Sequence, residues 1–167
     1  MTLPADNRSF WDRMYSKDPD IFGSQGSEFA RWSLPFLQRE SPGGRIVELG
    51  CGTGRDMMYF AEHGFDVRGV DLSEVATRLA NRRLAALRDS SLLQWAVQGD
   101  AAEYLTRLSA NGVDVVYSNL FFNMETEKQR HCASSGRTAP ITFVRPAVSS
   151  SLLSPLARLG GSFESSP

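Results

Sequence analysis

At 167 residues, with 41% hydrophobic and 22% charged side chains, the chain has the length of one domain and the composition of a globular protein with a buried core. A net charge of -1 excludes the strongly basic surface that wraps nucleic acid, and no apolar run approaches the roughly 20 residues of a membrane span. The opening MTLPADNRSF carries no basic-then-apolar signal pattern, so a cytoplasmic protein is expected, and Cys51 and Cys132 lack the spacing of a disulfide framework or a structural metal site.

In chain order, the first 40 residues read as helical. Phe10, Trp11, Met14 and Tyr15 fall on one face, an Asp-Pro and glycine-rich link follows, and a second helix bears Phe29 and Trp32, with an interruption expected near Pro35. Two readings stand: a lid over a binding site, carrying Trp11 and Tyr15, or an ordinary helix packed on the edge of a sheet.

The middle of the chain alternates strand and helix. Arg45 to Gly50, Asp66 to Leu72, Leu92 to Asp100 and Val113 to Leu120 are short, β-branched runs bounded by glycine or acid, as buried strands are. Between them, Met57, Phe60 and Ala61 share one helical face, and Ala76, Ala80, Leu84 and Leu87 form a stripe opposite Arg78, Arg82 and Arg83, begun by an N-cap at Ser73 and Glu74 in the first turn. A further helix from about Ala101 to Ala110 is expected to turn Tyr104, Leu105 and Leu108 inward. This alternation implies a parallel sheet with right-handed crossovers and helices on both faces.

In such a sheet, ligands bind beyond the carboxyl ends of the strands, near the point where strand order reverses. VELGCGTGRD, Val47 to Asp56, places Glu48, Gly50, Gly52 and Gly54 at that edge. Asp71, Asp100 and the run Ser118 to Asn123 follow at the ends of the next three strands. Arg55 stands where a dinucleotide fingerprint needs its third glycine, and no Gly-Lys-Ser/Thr follows the turn, so neither a nicotinamide site nor a P-loop fits. Alternating glycines with an acid about 20 residues further on suit a nucleoside whose ribose hydroxyls donate to Asp71.

VELGCGTGRD, GVDLS, QGDA and VDVVYSNLFF, taken together and in order, resemble the successive motifs of the class I S-adenosylmethionine-dependent methyltransferases over Arg45 to Met124. The resemblance implies an α/β three-layer sandwich around a mostly parallel sheet, the Rossmann-like methyltransferase fold, incomplete at its C-terminus. It implies S-adenosyl-L-methionine as cofactor. Gly50, Gly52 and Gly54, with Cys51 between them, would line its methionine part and Glu48 would organise its amino group. Asp71 and Leu72 would hold the ribose, and Asp100 with Ala101 would face the adenine. Asn119, set like the first residue of an Asn-Pro-Pro-Tyr motif whose remainder is replaced by Leu120, Phe121 and Phe122, is either the catalytic candidate, with an amino-methylating role beside the cofactor it helps to bind, or a strand-end turn. Phe121 and Phe122 would then line the pocket or the core. His131 is a candidate general base or a solvated side chain.

From His131 the composition shifts to serine, proline and small residues, with Glu164 as the only acid. ITFVRPAV could form a short strand, confined by Pro146 to an edge or a strand end. Sixteen arginines against two lysines hint at GC-rich coding. The expectation is a methyltransferase-like domain over 1–130, with 1–40 its helical lid, and an atypical, disordered or frameshifted tail over 131–167 that departs near Glu125 to Cys132 and leaves strand four with an exposed edge. Function divides accordingly: an enzyme methylating a small molecule, or a non-catalytic cofactor-binding fold, with a nicotinamide oxidoreductase as the reading of another kind.

Overall fold

The computed structural model of the chain describes residues 7–88, 94–108, 112–119 and 141–144. Four β-branched runs become parallel strands: β1 (Arg45–Leu49), β2 (Asp66–Asp71), β3 (Ala96–Gln98) and β4 (Val115–Ser118). A fifth, β5 (Ile141–Val144), runs antiparallel to β4, and the order across the sheet is β3-β2-β1-β4-β5. The chain therefore moves outward from β1 through β2 to β3, then returns to β4 on the other side of β1. Leu49 pairs with Val70 on one side and with Ser118 on the other, so three carboxyl ends are level at this reversal. The edge expected to lie open beside β4 is paired along its length by β5, from Val115 opposite Val144 to Ser118 opposite Ile141.

Side-chain alternation splits the core into two layers. Ile46, Val67, Val115 and Tyr117 face one side, where they pack with helices α2 (Glu28–Glu40), α3 (Arg55–Glu62) and α4 (Glu74–Arg88) through Leu37, Met57, Phe60, Ala80 and Leu84. Val47, Leu49 and Val70 face the other, covered by Ala101, Tyr104 and Leu108 of and beside α5 (Ala101–Arg107). The expected three layers are present. Helix α1 (Asn7–Lys17) packs on α4. No helix of the described residues is long and apolar enough to cross a membrane.

Several expected details differ. Helix α2 continues through Pro35, which is exposed, as is Arg31. The carbonyl that loses its N–H partner therefore faces solvent. Leu87 and Leu105 are each 38% exposed rather than inward, because both helices turn those positions off the sheet after Leu84 and Tyr104 have made the contact. Arg83 leaves the solvent face, reaching Thr53 O at 3.2 Å, Thr53 Oγ1 at 2.9 Å and Asp20 Oδ1 at 2.6 Å. Strand β3 is three residues long: Gly99 turns, its N–H donating to Asp71 O, and Asp100 caps α5.

Candidate functional site

The loop between β1 and α3 bends because Gly50, Gly52 and Gly54 hold φ of 66°, 52° and 80°, a region that other residues enter only with strain. Gly50 and Cys51 donate their N–H groups to Val70 O at 2.8 and 3.1 Å, tying the bend to the end of β2. The three glycines serve different contacts. A Cβ at Gly54 would lie 2.8 Å from the Ala80 Cβ, so this residue lets α4 close on the loop, whereas one at Gly52 would lie 2.8 Å from the Tyr15 hydroxyl. Cys51 is 4% exposed and packs against Gly69, where a Cβ would meet it at 2.8 Å; burial pushes its thiol pKa up.

Two acids flank this loop below the rim. Glu48 is 4% exposed, and burial, reinforced by the charge of Asp56 and opposed by Arg55, raises its pKa well above the usual carboxylate range. The backbone N–H of Met57 donates to its carboxyl group, while Oε2 has no hydrogen-bond partner among the described residues. Asp71 accepts from Gly52 N at 2.8 Å and from Ser73 N at 2.9 Å; burial outweighs these donors, and its pKa is also raised. A buried carboxyl that faces a glycine loop is suited to donors arriving from the rim.

The remaining expected positions divide. Asp100 is exposed, and its Oδ1 accepts from Glu103 N at 2.9 Å as the N-cap of α5. Ala101 is buried in the second core layer, and Leu72 accepts at its carbonyl from Gln98 Nε2 at 3.2 Å. Asn119 stands at the end of β4, its Nδ2 donating to Asp56 Oδ2 at 3.2 Å. Phe121, Phe122, His131, Pro146 and the interval Glu125 to Cys132 lie outside the described residues.

Helix α1 reaches the loop directly. Tyr15 is 6% exposed, with its hydroxyl against Gly52 and its pKa raised by burial and by Asp71. Trp11 stands at a ring-centroid distance of 5.7 Å from Tyr15 and 6.1 Å from Phe22. Asp12 accepts from Ser73 Oγ at 2.6 Å and Val75 N at 3.2 Å, fastening α1 to the start of α4. The link after α1 is held too: Thr53 Oγ1 donates to Pro19 O at 3.0 Å and Arg55 donates to Phe22 O.

The sequence reading missed the residue that joins these pieces. Asp56, 1% exposed at the start of α3, accepts from Ser27 N and Ser27 Oγ, each at 2.7 Å, and from Tyr117 Oη at 2.8 Å, besides Asn119. Its hydrogen-bond partners lie 29 to 63 positions away, so the only local signal of them was an acid in a helix's first turn. Ser27 carried a clearer one, an N-cap before the amphipathic run Glu28 to Glu40: its Oγ also accepts from Ala30 N at 3.0 Å. Beside this cluster opens a cleft of about 640 Å³, lined by Gly23 to Phe29, Arg31, Arg55 and Asn119.

A methyltransferase domain model matches residues 46–137, more than half of the chain, from the second residue of β1 to beyond the end of β4. The chain belongs to this methyltransferase domain family. YqeM of Bacillus subtilis (strain 168), a methyltransferase by its name alone, is similar: identity is 41% over 67 residues, 40% of this chain and 26% of that protein. Glycine N-methyltransferase of Mus musculus is 32% identical over 98 residues, 56% of this chain and 32% of that one. This chain thus spans between a quarter and a third of the length of these relatives. In fold it is similar to a methyltransferase of Geobacter sulfurreducens crystallised with S-adenosyl-L-homocysteine, with a TM-score of 0.50 and 22% identity over 66% of this chain and 44% of that one.

Proposed function

We propose that this methyltransferase domain binds S-adenosyl-L-methionine at the β1–α3 loop and transfers its methyl group to a small-molecule acceptor held in the adjoining cleft. The observation that carries this is Glu48 Oε2, a buried carboxyl oxygen without a partner among the described residues, set beneath a glycine bend. A buried acceptor of this kind costs free energy until a donor arrives, and an ammonium group suits it. The rest of the donor set fits the same molecule. Asp71 suits ribose hydroxyls, the start of α3 favours a carboxylate, and Asp100 with Leu72 and Ala101 is the candidate surround of the adenine.

When bound, the sulfonium supplies an already activated methyl carbon. The chain's own residues then have to bind, orient and keep out water. Helix α1 with Trp11 and Tyr15, and the wall Gly23 to Phe29, would close the site, which assigns the first 40 residues the part of a lid. Asn119, at the rim between loop and cleft, is the candidate contact to the acceptor. The cleft's volume of about 640 Å³ is in the range of small-molecule sites.

Calorimetric titration of the full chain with S-adenosyl-L-methionine tests the reading. Binding that Asp71→Ala weakens more than tenfold is expected; no binding to the unaltered chain overturns it. Transfer of an isotopically labelled methyl group to a panel of small amines and alcohols then distinguishes an enzyme from a cofactor-binding fold without turnover.

A further inference from the structure

We propose that Asp56 is a positioning residue: it orients the Asn119 carboxamide so that Oδ1 faces the cleft and accepts a hydrogen bond from the N–H or O–H group that receives the methyl. This inference rests on the methyl-transfer reading above and adds the acceptor's chemical class, a small molecule whose nucleophilic atom carries a hydrogen.

A carboxylate accepts and does not donate, so every group turned toward Asp56 has to be a donor. Its five partners satisfy that rule. Oδ1 takes Ser27 N at 2.7 Å with Arg55 Nε at 3.6 Å, and Oδ2 takes Ser27 Oγ at 2.7 Å, Tyr117 Oη at 2.8 Å and Asn119 Nδ2 at 3.2 Å. A neutral amide in this place would turn freely by half a revolution. Facing Asp56 it has one permitted orientation, nitrogen toward the carboxylate and oxygen away. Asn119 is half-buried and lines the cleft, so the oxygen directed away from Asp56 is on the cleft side.

The same carboxylate fixes the opposite wall. Ser27 ends the segment Gly23 to Phe29 that lines the cleft, and both its N–H and its hydroxyl are bound to Asp56. Phe29 stacks on Tyr117 at 5.4 Å between ring centroids, so wall and strand end close together. Asn119 follows Ser118, whose Oγ donates to Leu49 O at 3.3 Å, one residue before the glycine bend. Asp56 therefore sets the distance between the loop, the carboxamide and the wall.

Sinefungin, an analogue with an amine near the position of the transferring methyl, probes this geometry without knowledge of the acceptor. The full chain is expected to bind sinefungin about tenfold more tightly than S-adenosyl-L-homocysteine, the effect of one charge-assisted hydrogen bond to Asn119 Oδ1. Asn119→Ala and Asp56→Asn are each expected to bring that ratio within about threefold of unity. A merely structural role for Asp56 lowers both affinities together and leaves the ratio standing, which overturns the proposal. A starting chain that binds S-adenosyl-L-homocysteine with no preference for sinefungin overturns it too, with the cofactor reading intact; a chain that binds neither removes that reading and this one with it. Should Asp56→Asn not melt cooperatively, hydrogen exchange at the Asn119 side-chain amide decides: protection is expected, and exchange at the rate of free amide overturns the assignment.

Discussion

The Tyr15 hydroxyl sits over Gly52 so closely that a Cβ added to the glycine would lie 2.8 Å from it. Helix α1 is thus seated on the bend of the β1–α3 loop, and the two are packed as one surface. Gly52→Ala meets two obstacles there, the positive φ of 52° and the Tyr15 oxygen. A loss of about 2–4 kcal/mol is expected, from left-handed backbone and overpacking together. Adding Tyr15→Ala should relieve the contact and leave the backbone strain. Thermal melts of the four members of this cycle check it: a double variant no better than the additive expectation would place Tyr15 away from Gly52 in solution.

Glu48 gives the stability a definite slope with pH. Its folded pKa is raised by burial, while in the unfolded chain it titrates near the ordinary value of 4.5. Between those two values the folded state holds the proton that the unfolded state has lost. The stability it contributes is therefore complete below 4.5 and falls as pH rises toward the folded pKa. Glu48→Gln should flatten that part of the profile and raise the melting temperature at neutral pH. Ligand binding should run the other way: an amino group at Oε2 favours the ionised form and releases a proton. Titration with S-adenosyl-L-homocysteine in two buffers of different ionisation enthalpy reads the release directly, and equal heats in both would contradict it.

Asp71 holds two buried backbone N–H groups, those of Gly52 and Ser73. Asp71→Ala leaves both without an acceptor, at a cost of about 1–3 kcal/mol each. Asp71→Asn keeps one oxygen and should lose roughly half as much. Urea unfolding of the two variants ranks them, and the same ranking is expected in affinity for S-adenosyl-L-homocysteine. Equal stability of the alanine and asparagine variants would show that these hydrogen bonds do not set the loop.

At the far edge of the sheet, Asn81 of α4 substitutes for a missing strand. Its Oδ1 accepts from Trp95 N at 2.8 Å and Ala96 N at 2.9 Å, and its Nδ2 donates to Ala96 O at 2.7 Å. Three backbone groups at the start of the edge strand β3 are thereby satisfied. Asn81→Leu keeps the branched outline and removes the hydrogen bonds, so about 2–4 kcal/mol should be lost and the urea midpoint should fall. An unchanged midpoint would show that β3 is held by β2 without this side chain.

Much of the architecture was legible because strand alternation and helical spacing are local patterns. Ile46 and Val47 had to face opposite sides of β1 whatever the topology, and the spacing of Ala76, Ala80 and Leu84 marked one buried stripe. Leu105 and Leu87 escaped the same logic because periodicity says which residues share a face, not where the sheet beneath ends. The glycine bend was equally visible, since positive φ demands glycine. What each glycine makes room for was not: Gly54 accommodates Ala80 and Gly52 accommodates Tyr15, neighbours supplied by other elements.

By itself, the sequence determined the strands, the helices, the bend after β1 and the acids Glu48 and Asp71 beside it, because each follows from near-neighbour sterics and from a carboxylate placed behind an apolar run. Only the tertiary structure decided that Asp56 would join Ser27, Tyr117 and Asn119, that α1 would settle on Gly52, and that β5 would cover β4. Those pairings bring together residues from 23 to 63 positions apart, and a buried charge selects its donors by where the packed sheet and helices carry them.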